Sequence, residues 1–187
     1  TDSLSVEKRR GITIRTSYVS FSHQEKTVQL LDTPGHVDFF SEVIRAVNVL
    51  DVAILVVSGV EGIESQTKVI WDMLLKKKTP TFIFINKLDR IGASYYETLD
   101  KIKLLLSEKA VSFVYVQSGD SLQINYRDKK ILFEDCIMND LDMLTSYLND
   151  DFSNVEMDSF ISRLIKNSAI YPVFGGSTLH SIGIDLF

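Results

Sequence analysis

The sequence predicts an α/β fold of the doubly wound type, built on a mostly parallel sheet. Strand-like apolar segments alternate along the chain with segments of helical periodicity, which is typical of parallel strands joined by crossover helices. Segment 51–58, DVAILVVS, is apolar without alternation, as expected of a parallel strand buried on both faces. Polar loops follow three of the strands, at the position where such folds bind ligands.

Composition excludes several classes of protein. The chain has 187 residues, 45% of them apolar, so it is long enough for one sizeable core and should be folded. A net charge of −5 argues against a nucleic-acid-binding surface, although the run EKRR at 7–10 is either a local basic patch or a solvated face. Cys136 is the single cysteine, which excludes an internal disulfide. With no apolar run of membrane-spanning length, we expect a cytoplasmic protein without a signal peptide or a membrane partner.

The first elements predicted are a hairpin and a helix. Residues 11–21 alternate as a long strand, and a turn at 23–26 leads into a second strand at 27–32, so the two should pair in antiparallel fashion. After them, Phe39, Val43, Val47 and Leu50 recur at the spacing of a helix that packs one face.

The remaining elements follow in the same alternation. We predict helices at 66–78, 95–108, 141–148 and 157–166, and strands at 81–85, 111–117, 129–138 and 169–174. The stretch after residue 109 is more polar and irregular than the rest. We therefore predict a core domain at 1–109, an inserted subdomain at 110–167 and a return to the core at 168–187.

Three polar motifs follow predicted strands. DTPGH at 32–36 follows TVQLL, NKLD at 86–89 follows TFIFI, and GGS at 175–177 follows AIYPVF. One polar loop after a strand is ordinary turn chemistry. Because the carboxyl ends of parallel strands meet at one edge of a sheet, three such loops predict the wall of a binding site.

The motif NKLD suggests recognition of guanine. The Asp89 carboxylate can accept hydrogen bonds from both the ring N–H and the exocyclic amine of guanine, whereas adenine lacks this pair of donors. Asn86 can bond the base or brace a neighbouring loop, and the aliphatic stem of Lys87 can lie across the base plane while its ammonium stays in water. The alternative is that Asn86 or Asp89 only caps a helix.

The motif DTPGH fits the phosphate end of a nucleotide. Asp32 at a strand tip can hold Mg²⁺ through a water, and Gly35 allows the backbone to approach a terminal phosphate near a helix N-terminus. His36 stands where it could orient an attacking water, a role that a Gln fills in the general template for phosphoryl transfer. The alternative is an incidental surface histidine.

Four segments together resemble a known family. RRGITI, DTPGHVDF, VLDVAILVVSGVEGIESQT and NKLDR, between residues 7 and 90, are similar to the P-loop-NTPase-type GTPase domain of translational GTPases of the elongation factor G type. The similarity returns at 172–185, PVFGGSTLHSIGID. The long interval between Asp89 and Ser177 and the closing GGS…IGID most resemble the tetracycline-resistance ribosomal protection proteins. An elongation factor G-like or release factor 3-like translation factor is the alternative.

The resemblance implies cofactors, partners and residue roles. The cofactors would be GTP or GDP and Mg²⁺, and the partner would be the ribosome, from which the full-length protein would release tetracycline. The implied roles are Mg²⁺ binding by Thr13 and Asp32, phosphate contact by Gly35, water orientation by His36, guanine reading by Asn86, Lys87 and Asp89, and a backbone contact to the base by Ser177. Thr178 stands where the family usually has Ala, and the loop through Glu61 is assigned no chemistry.

One expected motif does not occur within the 187 residues. The phosphate-binding loop G-x-x-x-x-G-K-[ST] would be expected before Thr1, together with the strand that leads into it. We therefore expect the chain alone to be impaired in GTP binding and hydrolysis. Its unpaired strand edges should also make it self-associate or rearrange its sheet. A catalytically inactive binding module is the remaining alternative.

Overall fold

The structure is a computed structural model that describes residues 13, 16–117, 119, 121–137, 144–145 and 154–187. The chain forms two compact units, Thr1–Asp51 and Val52–Phe187, and each is described by itself. The basic run at 7–10 and most of the helix predicted at 141–148 lie outside the described residues. Of the helices that the structure describes, none is long and apolar enough to cross a membrane.

The first unit contains the predicted hairpin. Strands β1 (Ser17–His23) and β2 (Lys26–Asp32) pair in antiparallel fashion, with Ser17 opposite Asp32 at the open end. The turn between them uses Gln24 and Glu25, both in the left-handed region at φ of 46° and 62°. Successive positive φ values are what a tight two-residue hairpin turn requires. The hairpin prediction is confirmed for its paired part, although the predicted first strand starts later, at Ser17, and residues 11, 12, 14 and 15 lie outside the described residues. Strand β2 delivers the motif DTPGH from its end.

A short helix follows this motif. One 3₁₀ turn, Val37–Phe39, leads into helix α1 (Phe40–Val47). Val43, Ala46 and Val47 are buried at the three- to four-residue spacing expected of one packed face. The predicted helix is confirmed, although Leu50 lies beyond its end.

The second unit is built on a parallel sheet of four strands. Its strands are β3 (Ala53–Ser58), β4 (Thr81–Asn86), β5 (Ala110–Ser112) and β8 (Tyr171–Gly175), in the spatial order β3-β4-β8-β5. Helix α2 (Ser65–Lys77) connects β3 to β4, and helix α3 (Tyr95–Leu105) connects β4 to β5. All three strand pairings are parallel, which confirms the mostly parallel α/β fold.

The core of this sheet lies along its two central strands. Ile83, Ile85 and Val173 are fully buried on β4 and β8, and Trp71 of α2 packs edge-on against Tyr171 at 4.7 Å between ring centroids. The Trp71 indole N–H donates to the carbonyl oxygen of Leu106 at 2.9 Å, so the polar atom of this buried ring is satisfied. These contacts fix α2 against the sheet at the amino end of β8.

The burial expected of strand β3 is wrong on one face. Ala53, Leu55 and Val57 are buried, but Ile54 and Val56 are 47% and 58% exposed. The reason is that the core cluster packs on the face of Leu55 and Val57, while the described residues leave the face of Ile54 and Val56 largely uncovered. An apolar run therefore did not distinguish a strand covered on one face from one covered on both.

The segment predicted as a strand at 129–138 is wrong. It forms helix α4 (Lys129–Ile137), whose first turn is capped by Asp128. The Asp128 carboxylate accepts from the backbone N–H groups of Lys130 and Ile131, at 2.9 and 3.3 Å. This is N-cap chemistry, and it favours a helix over a strand. The buried side chains of α4, at helical spacing, are Leu132, Phe133, Cys136 and Ile137.

Helix α4 packs against a further helix to form a second apolar cluster. That helix, α5 (Asn154–Lys166), confirms the helix predicted at 157–166, and Phe133 of α4 meets Phe160 of α5 at 5.5 Å between ring centroids.

The strand predicted at 111–117 divides in two, because β5 joins the parallel sheet while β6 (Val114–Gln117) pairs with β7 (Gln123–Tyr126). The boundaries proposed for an inserted subdomain stay a prediction.

A buried tyrosine hydroxyl provides a test of this packing. The Tyr95 hydroxyl is bonded to the Ser112 hydroxyl at 2.6 Å and donates to the Val173 carbonyl at 3.2 Å, and burial raises the pKa of Tyr95. We expect Tyr95→Phe to lower the free energy of unfolding by about 1–2 kcal/mol, since it leaves buried polar partners unpaired. Urea denaturation measures this loss. The matched control is Tyr18→Phe, because the Tyr18 ring is 74% exposed and its hydroxyl should contribute little to stability. If Tyr18→Phe lowers the free energy of unfolding as much as Tyr95→Phe does, the role given to the Tyr95 hydroxyl is wrong.

Candidate functional site

Two loops meet at the carboxyl edge of the parallel sheet. The reader loop (residues 86–90) leaves β4, and the β8 loop (residues 175–183) leaves the neighbouring strand. Leu88 N–H donates to the carbonyl of Gly176 at 3.1 Å, and Gly176 N–H donates to the carbonyl of Ile85 at 2.9 Å. A Cβ on Gly176 would lie 2.2 Å from the Ile182 carbonyl oxygen, so only glycine fits at this point of the β8 loop. The two motifs NKLD and GGS therefore lie side by side, as predicted.

Asn86 braces the β8 loop from the end of β4. Its side-chain oxygen accepts from the backbone N–H groups of Lys87 at 2.8 Å and of Thr178 at 3.0 Å. Its amide nitrogen donates to the Thr178 hydroxyl, also at 3.0 Å. Of the two roles that the sequence left open for Asn86, the structure therefore shows the brace. The hydroxyl of Thr178, which an alanine would lack, is part of it.

Asp89 is held by the β8 loop as well. Ser177 is fully buried, and its backbone N–H and carbonyl both pair with Ile182 at 3.0 Å. A hydrogen bond from the Ser177 hydroxyl lowers the pKa of Asp89, partial desolvation opposes this, and the charges of His180 and Arg90 lower it further. The carboxylate is therefore ionised at neutral pH, with its acceptor oxygens at the rim of the sheet.

Two residues to which the sequence analysis gave no role also contact the reader loop. His180 of the β8 loop places its Nε2 atom 3.6 Å from the Asp89 carboxylate. Glu61, in the loop after β3, accepts from the Lys87 ammonium at 3.2 Å. Both side chains lie in segments that carry the family resemblance, but neither was assigned a role from the sequence. Only the strand order, with β4 between β3 and β8, brings them to Lys87 and Asp89.

The first unit carries the motif DTPGH at the end of β2. Asp32 is the last residue of that strand and is partly buried, and Pro34 is buried two residues later. Around Gly35, no described atom lies within 4 Å of the place where a Cβ would stand, so its backbone is accessible. Thr13 is described outside any regular element and is partly buried. Since β2 pairs with β1 in a sheet of its own, the placement of this motif beside the other two stays a prediction.

His36 lies at the start of the 3₁₀ turn with its side chain 53% exposed. Its Nδ1 atom accepts from the backbone N–H of Asp38 at 3.3 Å, which in the neutral ring leaves the proton on Nε2. The Asp38 carboxylate lies 3.4 Å from the same Nδ1 and can pair with the ring when it is protonated. One ring nitrogen is thus oriented by the chain, while no hydrogen bond from a described residue engages the other.

These arrangements suit a guanine base better than a metal ion held by protein alone. The reader and β8 loops combine an ionised carboxylate, a lysine stem and backbone amides within one braced rim. Among the described residues, no group of three or more His, Cys, Asp or Glu side chains could enclose a cation. Mg²⁺ can nevertheless be held by one or two side chains with waters and phosphate oxygens, so Asp32 and Thr13 are compatible with the role predicted for them.

Comparison with known proteins finds relatives over almost the whole chain. The profile of the family described as "Elongation factor Tu GTP binding domain" matches residues 1–187. Tetracycline resistance protein TetP of Clostridium perfringens is 41% identical over 196 residues, which cover 99% of this chain and 30% of that protein. Tetracycline resistance protein TetM of Ureaplasma urealyticum is 34% identical over 186 residues, which cover 99% and 29%. The chain thus spans about 30% of the length of these relatives.

A solved structure shows the same fold. The crystal structure of a protein from Thermus thermophilus matches with a TM-score of 0.86 over 100% of this chain and 33% of that chain. The two sequences are 20% identical over this match, so it supports the architecture and not a function.

Proposed function

The chain belongs to the family of elongation factor Tu GTP binding domains, and from this premise we propose that it binds GTP and hydrolyses it to GDP. We infer that it does so as one domain of a ribosome-associated protein that releases tetracycline from the ribosome. The observation that carries the proposal is the position of the Asp89 carboxylate, which accepts a hydrogen bond from buried Ser177 and lies beside the Asn86–Thr178 brace.

The reader loop would select the base. The Asp89 carboxylate would accept from the ring N–H and the exocyclic amine of guanine, and adenine would leave that carboxylate without donors. The stem of Lys87 would lie across the base plane. Ser177 would act through its hydroxyl on Asp89, because its backbone N–H and carbonyl already pair with Ile182, which leaves no backbone group for the base contact predicted from sequence. Asn86 would act by keeping the two loops at a fixed separation.

The motif DTPGH would serve the phosphates. Asp32 and Thr13 would hold Mg²⁺, which when bound neutralises the charge of the phosphate oxygens. The Gly35 backbone, open to approach, would contact the terminal phosphate. His36 would orient the attacking water through Nε2, because Nδ1 is already engaged by the Asp38 backbone.

The relatives motivate the ribosomal and drug-related part of the proposal. The names of both relatives describe them as tetracycline resistance proteins. The match to each covers 99% of this chain. A protein that works on the ribosome would act in the cytoplasm. Ribosomes, GTP and tetracycline are therefore the partners to test.

One experiment separates the functions that the family allows. We expect the protein encoded by the complete gene to hydrolyse GTP faster when ribosomes are added, and to restore translation in an extract inhibited by tetracycline. Ribosome-stimulated turnover without restored translation would favour an elongation or release factor. Nucleotide binding without any turnover would favour a binding module.

A further inference from the structure

An acidic side chain from a third loop holds the lysine of the reader loop. Glu61 belongs to the β3 loop (residues 58–62), and its Oε2 atom lies 3.2 Å from the Lys87 ammonium. The two side chains are 44% and 37% exposed, so the pair stands at the rim of the site. The hydrogen bond from Lys87 lowers the pKa of Glu61. The pair is therefore fully charged at neutral pH and is lost as the pH falls through the lowered pKa.

The β3 loop is itself folded to present Glu61. The Ser58 hydroxyl accepts from the backbone N–H groups of Val60 at 3.2 Å and Glu61 at 3.3 Å, and it donates to the Glu61 carboxylate. Gly62 N–H donates to the Ser58 carbonyl at 2.9 Å, which closes the turn. The Glu61 carboxylate is thus fixed by its own loop as well as by Lys87.

The same loop is attached to the reader loop through the backbone. Gly59 N–H donates to the Asn86 carbonyl at 2.8 Å, so the β3 loop and the reader loop are bonded one residue before Lys87. Lys87 itself has a φ of 65°, in the left-handed region that a lysine seldom adopts, and its N–H is held by the Asn86 side chain. The backbone thus sets the direction in which the Lys87 side chain leaves the loop, and Glu61 holds its far end.

We propose that Glu61 is a positioning residue for guanine-nucleotide binding, acting only through Lys87 by holding its stem extended along the rim where the base would lie. This inference rests on the proposed function. A flexible lysine side chain loses rotamer freedom when it covers a base, and a partner that holds the ammonium beforehand reduces that loss on binding. The stem contacts the plane of the ring rather than its edge. Glu61 should therefore matter for any purine base that enters the site.

The test is a double-mutant cycle on the protein encoded by the complete gene, with GDP and IDP as probes. We expect Glu61→Gln to weaken both by about threefold to fivefold, as for an exposed ion pair that holds one side chain. The ratio of GDP to IDP affinity should stay unchanged, because that ratio depends on Asp89. On the Lys87→Met background, Glu61→Gln should change GDP affinity by less than about twofold. The reason is that Glu61 acts through Lys87, and the effects of two residues that share one contact are not additive.

Glu64→Gln is the matched control, because it removes the same charge from an exposed position three residues along the chain. It should leave GDP binding unchanged. The inference is overturned if Glu61→Gln has no effect, if its effect persists in full on the Lys87→Met background, or if Glu64→Gln weakens GDP equally. A wild-type protein that binds neither GDP nor IDP would instead contradict the proposed function, and the inference would fall with it.

Discussion

Replacing His36 with alanine should abolish most ribosome-stimulated GTP hydrolysis while leaving GTP binding almost unchanged. The side chain is more than half exposed, and its Nδ1 atom is oriented by the Asp38 backbone, so truncation should disturb little of the fold. A group that orients the attacking water interacts with the transition state more than with bound GTP. We expect turnover to fall by about a hundredfold or more, within the range for acid–base and water-positioning residues.

Single-turnover hydrolysis with ribosomes, together with a separate binding titration, measures the two quantities. His23→Ala, at the exposed end of β1, is the matched control and should change neither. If nucleotide affinity falls as much as turnover in His36→Ala, the assigned role is wrong and His36 supports the ground state or the local fold.

Replacing Asp89 with asparagine should change the base that the protein prefers. The variant keeps the size of the side chain but puts an amide donor where the exocyclic amine of guanine needs an acceptor. Xanthine carries a carbonyl in place of that amine, so the amide can donate to it. Since a site built around specific hydrogen bonds strongly rejects a mismatched partner, we expect the ratio of GTP to XTP affinity to fall on the order of a thousandfold.

Competition between GTP and XTP measures that ratio directly. Asp100→Asn, on the exposed face of α3, makes the same chemical change away from the site and should leave the ratio intact. An unchanged preference for guanine in Asp89→Asn would mean that Asp89 serves only the loop structure, through its bond from Ser177.

The fold could be predicted from sequence where periodicity and loop chemistry agreed. The hairpin, helices α2 and α3, and strands β4 and β8 follow from alternation, helical spacing and turns. The apolar run at 131–133 favours a strand, but the segment forms helix α4 because Asp128 caps its first turn and its buried side chains recur at helical spacing. The exposed face of β3 could not be foreseen, since an apolar sequence does not reveal whether one face of a strand is covered or both.

The site could be predicted where its residues belong to polar motifs that follow a strand. Asp89 and Ser177 are brought together because β4 and β8 are neighbours, which the order of motifs allowed us to expect. Glu61 and His180 reach the same rim from other loops, and their contacts depend on strand order and side-chain direction. Self-association of the 187 residues and the Mg²⁺ roles of Thr13 and Asp32 stay predictions.

The rim formed by the reader loop and the β8 loop should select guanine over adenine. The most direct measurement is a calorimetric titration of the protein encoded by the complete gene with GDP and with ADP, in the presence of Mg²⁺. The carboxylate of Asp89 predicts that GDP binds and that ADP binds more weakly by a factor on the order of a thousand. Comparable affinities for GDP and ADP would contradict the assignment of the reader loop and the function built on it.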